Sequence, residues 1–195
     1  MQEKRYEIRL SGSGGQGIIM AAIILAEAAG VYEGKHVCQT QSYGPEPRGG
    51  ASKAEVVISN KVIDYPKAIK PDFLLAMNQA SCDLYFPDLK PQGLLVVDST
   101  LVNQIPTGRS VAIPFTEIAR KEIGKELVAN VVALGAVGYL SKIVSLKNLE
   151  SALMARIPKG TETLNQMAFS AGIKAAKKID LSTLPESTAK EGEEL

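Results

Sequence analysis

Glycines at positions 12, 14 and 17 follow a short strand and precede an apolar run over residues 18–26. Glycines at this spacing allow a tight turn and let main-chain N–H groups approach a ligand, and the N-terminal end of the following helix favours negative charge. The alternative is that they serve only close packing of helix on sheet. The pattern predicts that an anion or a polar partner segment binds at Gly12, Ser13, Gly14, Gly15, Gln16 and Gly17.

A dinucleotide site of the usual kind also needs an acidic residue at the end of the second strand, where it binds the ribose hydroxyls. The second predicted strand, residues 36–40, ends instead in Gln39, Thr40 and Gln41. A small NAD(P)- or flavin-dependent enzyme is therefore disfavoured.

A second candidate segment, residues 42–50, follows the predicted strand 36–40. Its prolines and glycines exclude regular helix or strand and predict an ordered, turn-rich loop. Arg48 offers a planar donor fork to a carboxylate or phosphate, although a surface ion pair with Glu46 is the alternative. We expect a partner or active-site contact from Tyr43, Gly44, Pro45, Glu46, Arg48, Gly49 and Gly50.

The remaining pattern predicts an α/β fold of the Rossmann-like type, a mostly parallel sheet flanked by helices with a β-hairpin and a helical C-terminal part. Residues 1–181 form a single domain, and the polar segment 182–195 is expected to be disordered. Carboxyl ends of parallel strands share one edge, so the glycine turn, the loop 42–50 and Asn78 should form one surface. Predicted strands are 36–40, 54–59 and 62–64 (the hairpin), 72–77, 93–98 and 110–115, and predicted helices are 78–84, 116–123, 129–143, 146–156 and 161–179.

Composition narrows the function classes. The chain has 195 residues, 45% hydrophobic and 22% charged, with a net charge of +1 and no Trp, so no nucleic-acid surface is expected. No stretch is long enough to span a membrane, and the charged start fits a cytoplasmic protein.

Cys38 and Cys82 are isolated, which argues against a metal site. His36 has no catalytic partner pattern, and Asn130 is expected to cap the N-terminus of the helix over 129–143.

Both candidate loops together resemble the gamma subunit of 2-oxoacid:ferredoxin oxidoreductases. The similarity extends over about residues 6–167 and includes the segments 76–79, 96–99 and 130–136. The sequence of residues 42–50 is similar to the corresponding loop of the 2-oxoglutarate branch, although pyruvate, branched-chain 2-oxoacid and indolepyruvate enzymes carry related modules. The resemblance implies a complex that converts 2-oxoglutarate and coenzyme A to succinyl-CoA, CO2 and reduced ferredoxin.

The resemblance also implies where the chemistry lies. Thiamine diphosphate, Mg and [4Fe-4S] clusters belong to partner subunits of the alpha, beta and delta types, and this chain is a non-catalytic subunit that closes the active site or contributes to coenzyme A binding. Expressed alone, it is expected to self-associate through the apolar surface meant for partners. A stand-alone module that binds a nucleotide or coenzyme A is the remaining alternative.

Overall fold

The computed structural model describes residues 5–42 and 51–186. Its centre is one six-stranded sheet with the spatial order β2-β3-β1-β4-β5-β6. Strands β1, β4, β5 and β6 are mutually parallel, and β3 is antiparallel to both β1 and β2. The strands are β1 (Arg5–Ser13), β2 (His36–Ser42), β3 (Ala51–Ser59), β4 (Phe73–Ala76), β5 (Leu94–Asp98) and β6 (Ser110–Ile113).

Helices cover both faces of the sheet, which confirms the predicted α/β class. The helices are α1 (Ile18–Glu27), α2 (Gln79–Tyr85), α3 (Phe115–Ile118), α4 (Ala129–Ser141), α5 (Leu146–Arg156) and α6 (Glu162–Ala176). Helices α1 and α3 each continue into a π-helical segment, Ala28–Tyr32 and Ala119–Ile123. Within the described ranges, no helix has the length and apolar character needed to cross a membrane.

The larger apolar core lies on one face, where α1 packs on β1, β2 and β3, and α4, α5 and α6 contribute to the same cluster of buried residues. Helices α4 and α6 approach so closely that a Cβ built at Gly172 would lie 1.8 Å from the carbonyl oxygen of Val132. A Cβ at Gly135 would lie 2.2 Å from the carbonyl oxygen of Phe169. The apolar sequence of α4 therefore forms a buried helix whose glycines permit backbone contact. A smaller cluster under α2 fills the other face.

Strand β1 alternates charged and apolar residues because one of its faces is covered by polar groups. Arg9 is 2% exposed and donates to Glu55, directly opposite on β3, with Nε to Oε1 at 2.9 Å. Its guanidinium also contacts the Asp88 carboxylate and lies 5.4 Å from the centre of the Tyr85 ring. A charged cluster, rather than an apolar layer, therefore covers this central strand.

One prediction of secondary structure is wrong. Residues 62–64 form no strand, so the expected hairpin over 54–64 is absent; the consecutive antiparallel strands are β2 and β3.

The described chain continues beyond α6. Residues 181–183 form a 3-10 turn, Leu184 packs on the core, and Arg109 donates to the carbonyl oxygen of Pro185. The disorder expected for residues 182–195 stays a prediction, since residues 187–195 lie outside the described residues.

Candidate functional site

The side chain of Gln16 closes the turn that follows β1. Its Oε1 accepts from the N–H of Ser13 at 2.7 Å, and its Nε2 donates to the carbonyl oxygen of Met77 at 3.3 Å. A Cβ at Gly12 would lie 2.5 Å from the same Oε1, so only glycine leaves Gln16 this position. Gln16 therefore ties the end of β1 to the residue that follows β4.

The glycine turn leaves main-chain donors open. Within residues 5–42 and 51–186, no hydrogen bond engages the N–H groups of Gly14 and Gly15. Gly17 precedes α1 with a positive φ of 73°, and the helix has no side-chain cap. Uncapped N–H groups and the positive end of the helix dipole both favour an oxygen-rich or anionic group. Gly12, Ser13, Gly14, Gly15, Gln16 and Gly17 therefore form a turn able to bind such a group.

Asn130 has a different position from the one predicted. Helix α4 begins at Ala129, with Val128 in the cap position, so Asn130 is not the N-cap. Its Nδ2 instead donates to the carbonyl oxygen of Gly17 at 3.2 Å. The cap position falls at Val128 because residues 126–128 form a 3-10 turn that leads directly into the helix. Asn130 thus connects α4 to the glycine turn.

Asn78 lies beside the turn, at the end of the neighbouring strand. Its backbone is extended and its Oδ1 accepts from the N–H of Ser81 at 2.9 Å, so it is the N-cap of α2. The acceptor half of the amide is therefore engaged in the fold. Since Met77 bonds to both Ser11 and Gln16, the glycine turn and Asn78 lie at adjacent strand ends, as expected.

The structure describes the residues on either side of the predicted contact loop. Tyr43, Gly44, Pro45, Glu46, Arg48, Gly49 and Gly50 lie outside the described residues. Ala51 pairs with Ser13, and Ser42 pairs with Lys53, so both flanks lie at the edge that carries the glycine turn. The hydroxyl of Tyr85 donates to the carbonyl oxygen of Ala51 at 3.1 Å, which fixes the start of β3.

A cleft of about 280 Å³ opens beside the glycine turn. It combines main-chain groups of the turn with apolar and polar side chains of other elements, and Leu127 at its rim is 79% exposed. The exposed Glu126 in its lining pairs with Arg120 at 2.8 Å. The remaining lining residues are Gly15, Gln16, Met77, Thr116 and Ala129.

Asp98 positions one wall of this cleft and was missed by sequence reasoning. The carboxylate is fully buried at the end of β5 and accepts from the N–H of Thr100 at 3.0 Å and of Thr116 at 3.1 Å. The Thr116 hydroxyl also donates to it. A carboxylate at the end of an otherwise apolar strand was the available signal, because such a group must be paired when buried.

Among the described residues, no group of three or more His, Cys, Asp or Glu could hold a metal ion. Burial, with a smaller contribution from Asp83, raises the pKa of the Cys82 thiol to about 11, so this cysteine is a core residue and not a nucleophile. Cys38 is half-buried on β2.

Comparison with known sequences identifies relatives over nearly the whole chain. Residues 7–175 match the family model described as pyruvate ferredoxin/flavodoxin oxidoreductase. The 2-oxoglutarate synthase subunit KorC of Methanocaldococcus jannaschii is 51% identical, covering 90% of this chain and 96% of that protein. The KorC subunit of Methanothermobacter marburgensis is 47% identical, covering 86% and 95%.

Solved structures agree with these sequences. The gamma subunit of a keto/oxoacid ferredoxin oxidoreductase from Geobacter sulfurreducens superposes with a TM-score of 0.83 at 47% identity, covering 90% of this chain and 98% of that one. A 2-oxoglutarate:ferredoxin oxidoreductase from Magnetococcus marinus, with 2-oxoglutarate, coenzyme A and succinyl-CoA bound, gives 0.80 at 26% identity, covering 92% of this chain and 32% of that one. The chain therefore belongs to the pyruvate ferredoxin/flavodoxin oxidoreductase family, as a subunit of the gamma type that resembles the 2-oxoglutarate branch.

Proposed function

We propose that this chain is the gamma subunit of a 2-oxoglutarate:ferredoxin oxidoreductase, which converts 2-oxoglutarate and coenzyme A to succinyl-CoA, CO2 and reduced ferredoxin. The observation that carries the proposal is the 51% identity to a 2-oxoglutarate synthase subunit along almost the full length of both chains. The partners are cytoplasmic alpha, beta and delta subunits, which hold thiamine diphosphate, Mg and [4Fe-4S] clusters.

The experiment is capture of the native assembly through a tag on this chain, followed by native mass spectrometry and assay. We expect larger subunits that carry thiamine diphosphate and iron–sulfur clusters, and reduction of ferredoxin that depends on 2-oxoglutarate and coenzyme A. The isolated chain should show no turnover. A preference for pyruvate, a branched-chain 2-oxoacid or indolepyruvate would move the chain to another branch, and turnover by the chain alone would contradict its non-catalytic role.

Within the complex, we propose that the glycine turn and the loop 43–50 close the active site of a neighbouring subunit and contribute to coenzyme A binding. The open N–H groups of Gly14 and Gly15 at the uncapped start of α1 fit a phosphate oxygen. Arg48 would supply a second, charged donor. These groups can bind and orient coenzyme A and exclude water, while the redox chemistry belongs to the partner subunits.

Two kinetic constants separate these roles. Arg48→Ala should lower turnover of the assembled enzyme without unfolding the subunit. A raised KM for coenzyme A with little change in kcat indicates binding, whereas a lower kcat at unchanged KM indicates closure of the site. The matched control is Arg156→Ala, which removes an arginine at the end of α5 that pairs with Glu27. Unchanged kinetics for Arg48→Ala would exclude both roles for this residue.

A further inference from the structure

A segment of residues 60–70, named the strap here, connects β3 to β4 and presents its apolar side chains to solvent. Val62 is 79% exposed, Ile69 is 61% exposed and Tyr65 is 47% exposed. Ala68 is buried, at 4%. Ile63 is half-buried, so the exposed apolar side chains of the strap are those of Val62, Tyr65 and Ile69.

Charged side chains of β1 bind the main chain of the strap. Arg5 donates from Nη1 to the carbonyl oxygen of Tyr65 and from Nη2 to that of Lys67, each at 2.9 Å. Arg9 donates from Nη2 to the carbonyl oxygen of Ala68 at 3.0 Å. These hydrogen bonds attach the main chain of the strap to the sheet.

Glu7 completes this attachment. Its Oε2 accepts from the N–H of Lys70 at 3.2 Å, and its own N–H donates to the Asp72 carboxylate at 2.8 Å. Arg5, Glu7 and Arg9 alternate along β1 and therefore point to the same face of the sheet. One row of charged residues thus holds the strap in place from within, and no apolar side chain of the strap other than Ala68 is fully buried.

The strap lies far from the candidate site. Arg5 pairs with Ser59 at one end of β1, and Ser13 pairs with Ala51 at the other. Nine residues at a rise of about 3.3 Å each separate these ends by about 26 Å. A partner bound at the strap and a partner bound at the glycine turn would therefore contact the sheet at opposite ends of its strands.

The charge of the strap indicates the chemistry of what covers it. Its charged residues are Lys61, Asp64, Lys67 and Lys70, which is three lysines against one aspartate. Two copies meeting strap to strap would bring like charges together across a two-fold axis, which disfavours self-association. A partner surface with an apolar patch and an acidic rim would complement both the exposed apolar side chains and the positive charge of the strap.

We propose that the strap is a docking surface for a neighbouring subunit of the oxidoreductase, which contacts it with an apolar patch rimmed by acidic side chains. The proposal rests on the proposed function, since it requires a permanent heterologous partner. In the Magnetococcus marinus chain the matching part is 32% of a longer polypeptide, so there the domain belongs to a larger unit. Val62 and Ile69 would be the central apolar contacts, with the lysines around them.

The test measures the affinity between this chain and the purified partner subunits, identified by their thiamine diphosphate and iron–sulfur content. The variant is Val62→Asp/Ile69→Asp, and the control is Val31→Asp, which places the same charge at a valine that is 76% exposed beside α5. We expect the strap variant to raise the dissociation constant at least about tenfold and the control to leave it within about twofold. Circular dichroism melts should show all variants folded.

A charge variant provides an independent readout. Lys67→Glu should weaken association and reduce its dependence on salt, because the wild-type attraction between opposite charges is screened by ions. Turnover at saturating concentrations of the variant subunit should equal that of the wild type, since the strap is distant from the glycine turn.

Each failure has a distinct meaning. Equal affinities for wild type and the strap variant would overturn the docking surface while leaving the proposed function intact. Failure of the wild-type chain to bind any thiamine-containing subunit would overturn both. If the wild-type chain remains a dimer in the presence of the partner subunits and Val62→Asp/Ile69→Asp dissociates that dimer in sedimentation experiments, the occupant is a second copy, and the proposal of a heterologous partner is wrong.

Discussion

The side-chain amide of Asn130 donates to the carbonyl oxygen of Gly17 at 3.2 Å, across 113 positions of sequence. The same carbonyl oxygen accepts from the N–H of Ala21 at 3.1 Å. Helix α4 is thereby connected to the turn that opens α1. A Cβ at Gly17 would lie 2.3 Å from Asn130 Nδ2, so glycine and asparagine fit each other sterically as well.

This contact predicts strong coupling between the two positions. Gly17→Ala should destabilise the protein by about 2 kcal/mol, from the cost of a positive φ and from the clash with Asn130. In an Asn130→Ala background the clash is absent, and the same change should cost only about 1 kcal/mol. Urea unfolding of the four proteins in the cycle measures the coupling.

Gly34→Ala is the control for that cycle. Gly34 also has a positive φ, of 65°, but a Cβ added there would meet no atom of another part of the chain within 4 Å. Its substitution should therefore cost about 1 kcal/mol in either background. Additive costs for Gly17→Ala and Asn130→Ala would show that the contact contributes nothing.

The crossing of α4 and α6 predicts an unusual effect of alanine in a helix. Glycine to alanine inside a helix normally stabilises by up to about 1 kcal/mol. Gly172→Ala should instead destabilise by about 3 kcal/mol, because its Cβ would overlap the carbonyl oxygen of Val132 and force the helices apart. Thermal unfolding measures the difference. Ser170→Ala, an exposed change in the same helix, should leave the melting temperature nearly unchanged.

The buried pair of Arg9 and Glu55 predicts a large loss when one partner is removed. Arg9→Met should destabilise by about 3 kcal/mol, because it removes the buried cation that Glu55 and Asp88 share and leaves the buried Glu55 carboxylate with Lys53 as its ion-pair partner. Adding Glu55→Gln should recover part of this loss. Arg120→Met is the control, since both members of its pair with Glu126 are 58% exposed, and it should cost less than about 1 kcal/mol. Equal losses for both arginines in denaturant melts would contradict this account.

Tyr6 predicts how stability changes at alkaline pH. Burial, with a contribution from the Asp72 charge, raises the pKa of its phenol to about 12, above the value of about 10 expected in the unfolded chain. The unfolded state therefore loses this proton first, and the corresponding stability is present below about pH 10 and is lost toward about pH 12. Comparison of wild type with Tyr6→Phe in urea melts across this range isolates the effect. Tyr65→Phe, at an exposed ring, should behave as wild type.

Much of the fold follows from local sequence because its central strands are continuous apolar runs. The predicted runs 72–77, 93–98 and 110–115 contain β4, β5 and β6, and helix α5 has the predicted bounds. Val62 and Ile63 are β-branched, which favours a strand, yet the strap forms none. Arg5 and Arg9 of β1 bind carbonyl groups of the strap at residues 65 and 68, and such contacts between distant parts of the chain leave no signal within the segment itself.

The candidate site shows the same division between local and distant causes. The glycine spacing located the turn, since Gly12 and Gly17 are required by close approach and by a positive φ respectively. The role of Asn130 could not be predicted, because an asparagine near the start of a helix can either cap that helix or bond to a distant segment, and the local sequence is the same in both cases. Asp98 and Thr116 became recognisable as a pair only when the sheet brought the ends of β5 and β6 together.

The order of elements along the chain also bears on how the protein is made. Strands β2, β3, β1 and β4 have all been synthesised once the ribosome passes Ala76, whereas α4, α5 and α6, which cover their apolar face, end only at Ala176. A nascent chain of intermediate length must therefore expose apolar surface of the sheet during translation, and chaperones bind chains of this kind. Truncation before α6 should accordingly yield aggregates in the cell rather than a smaller folded domain.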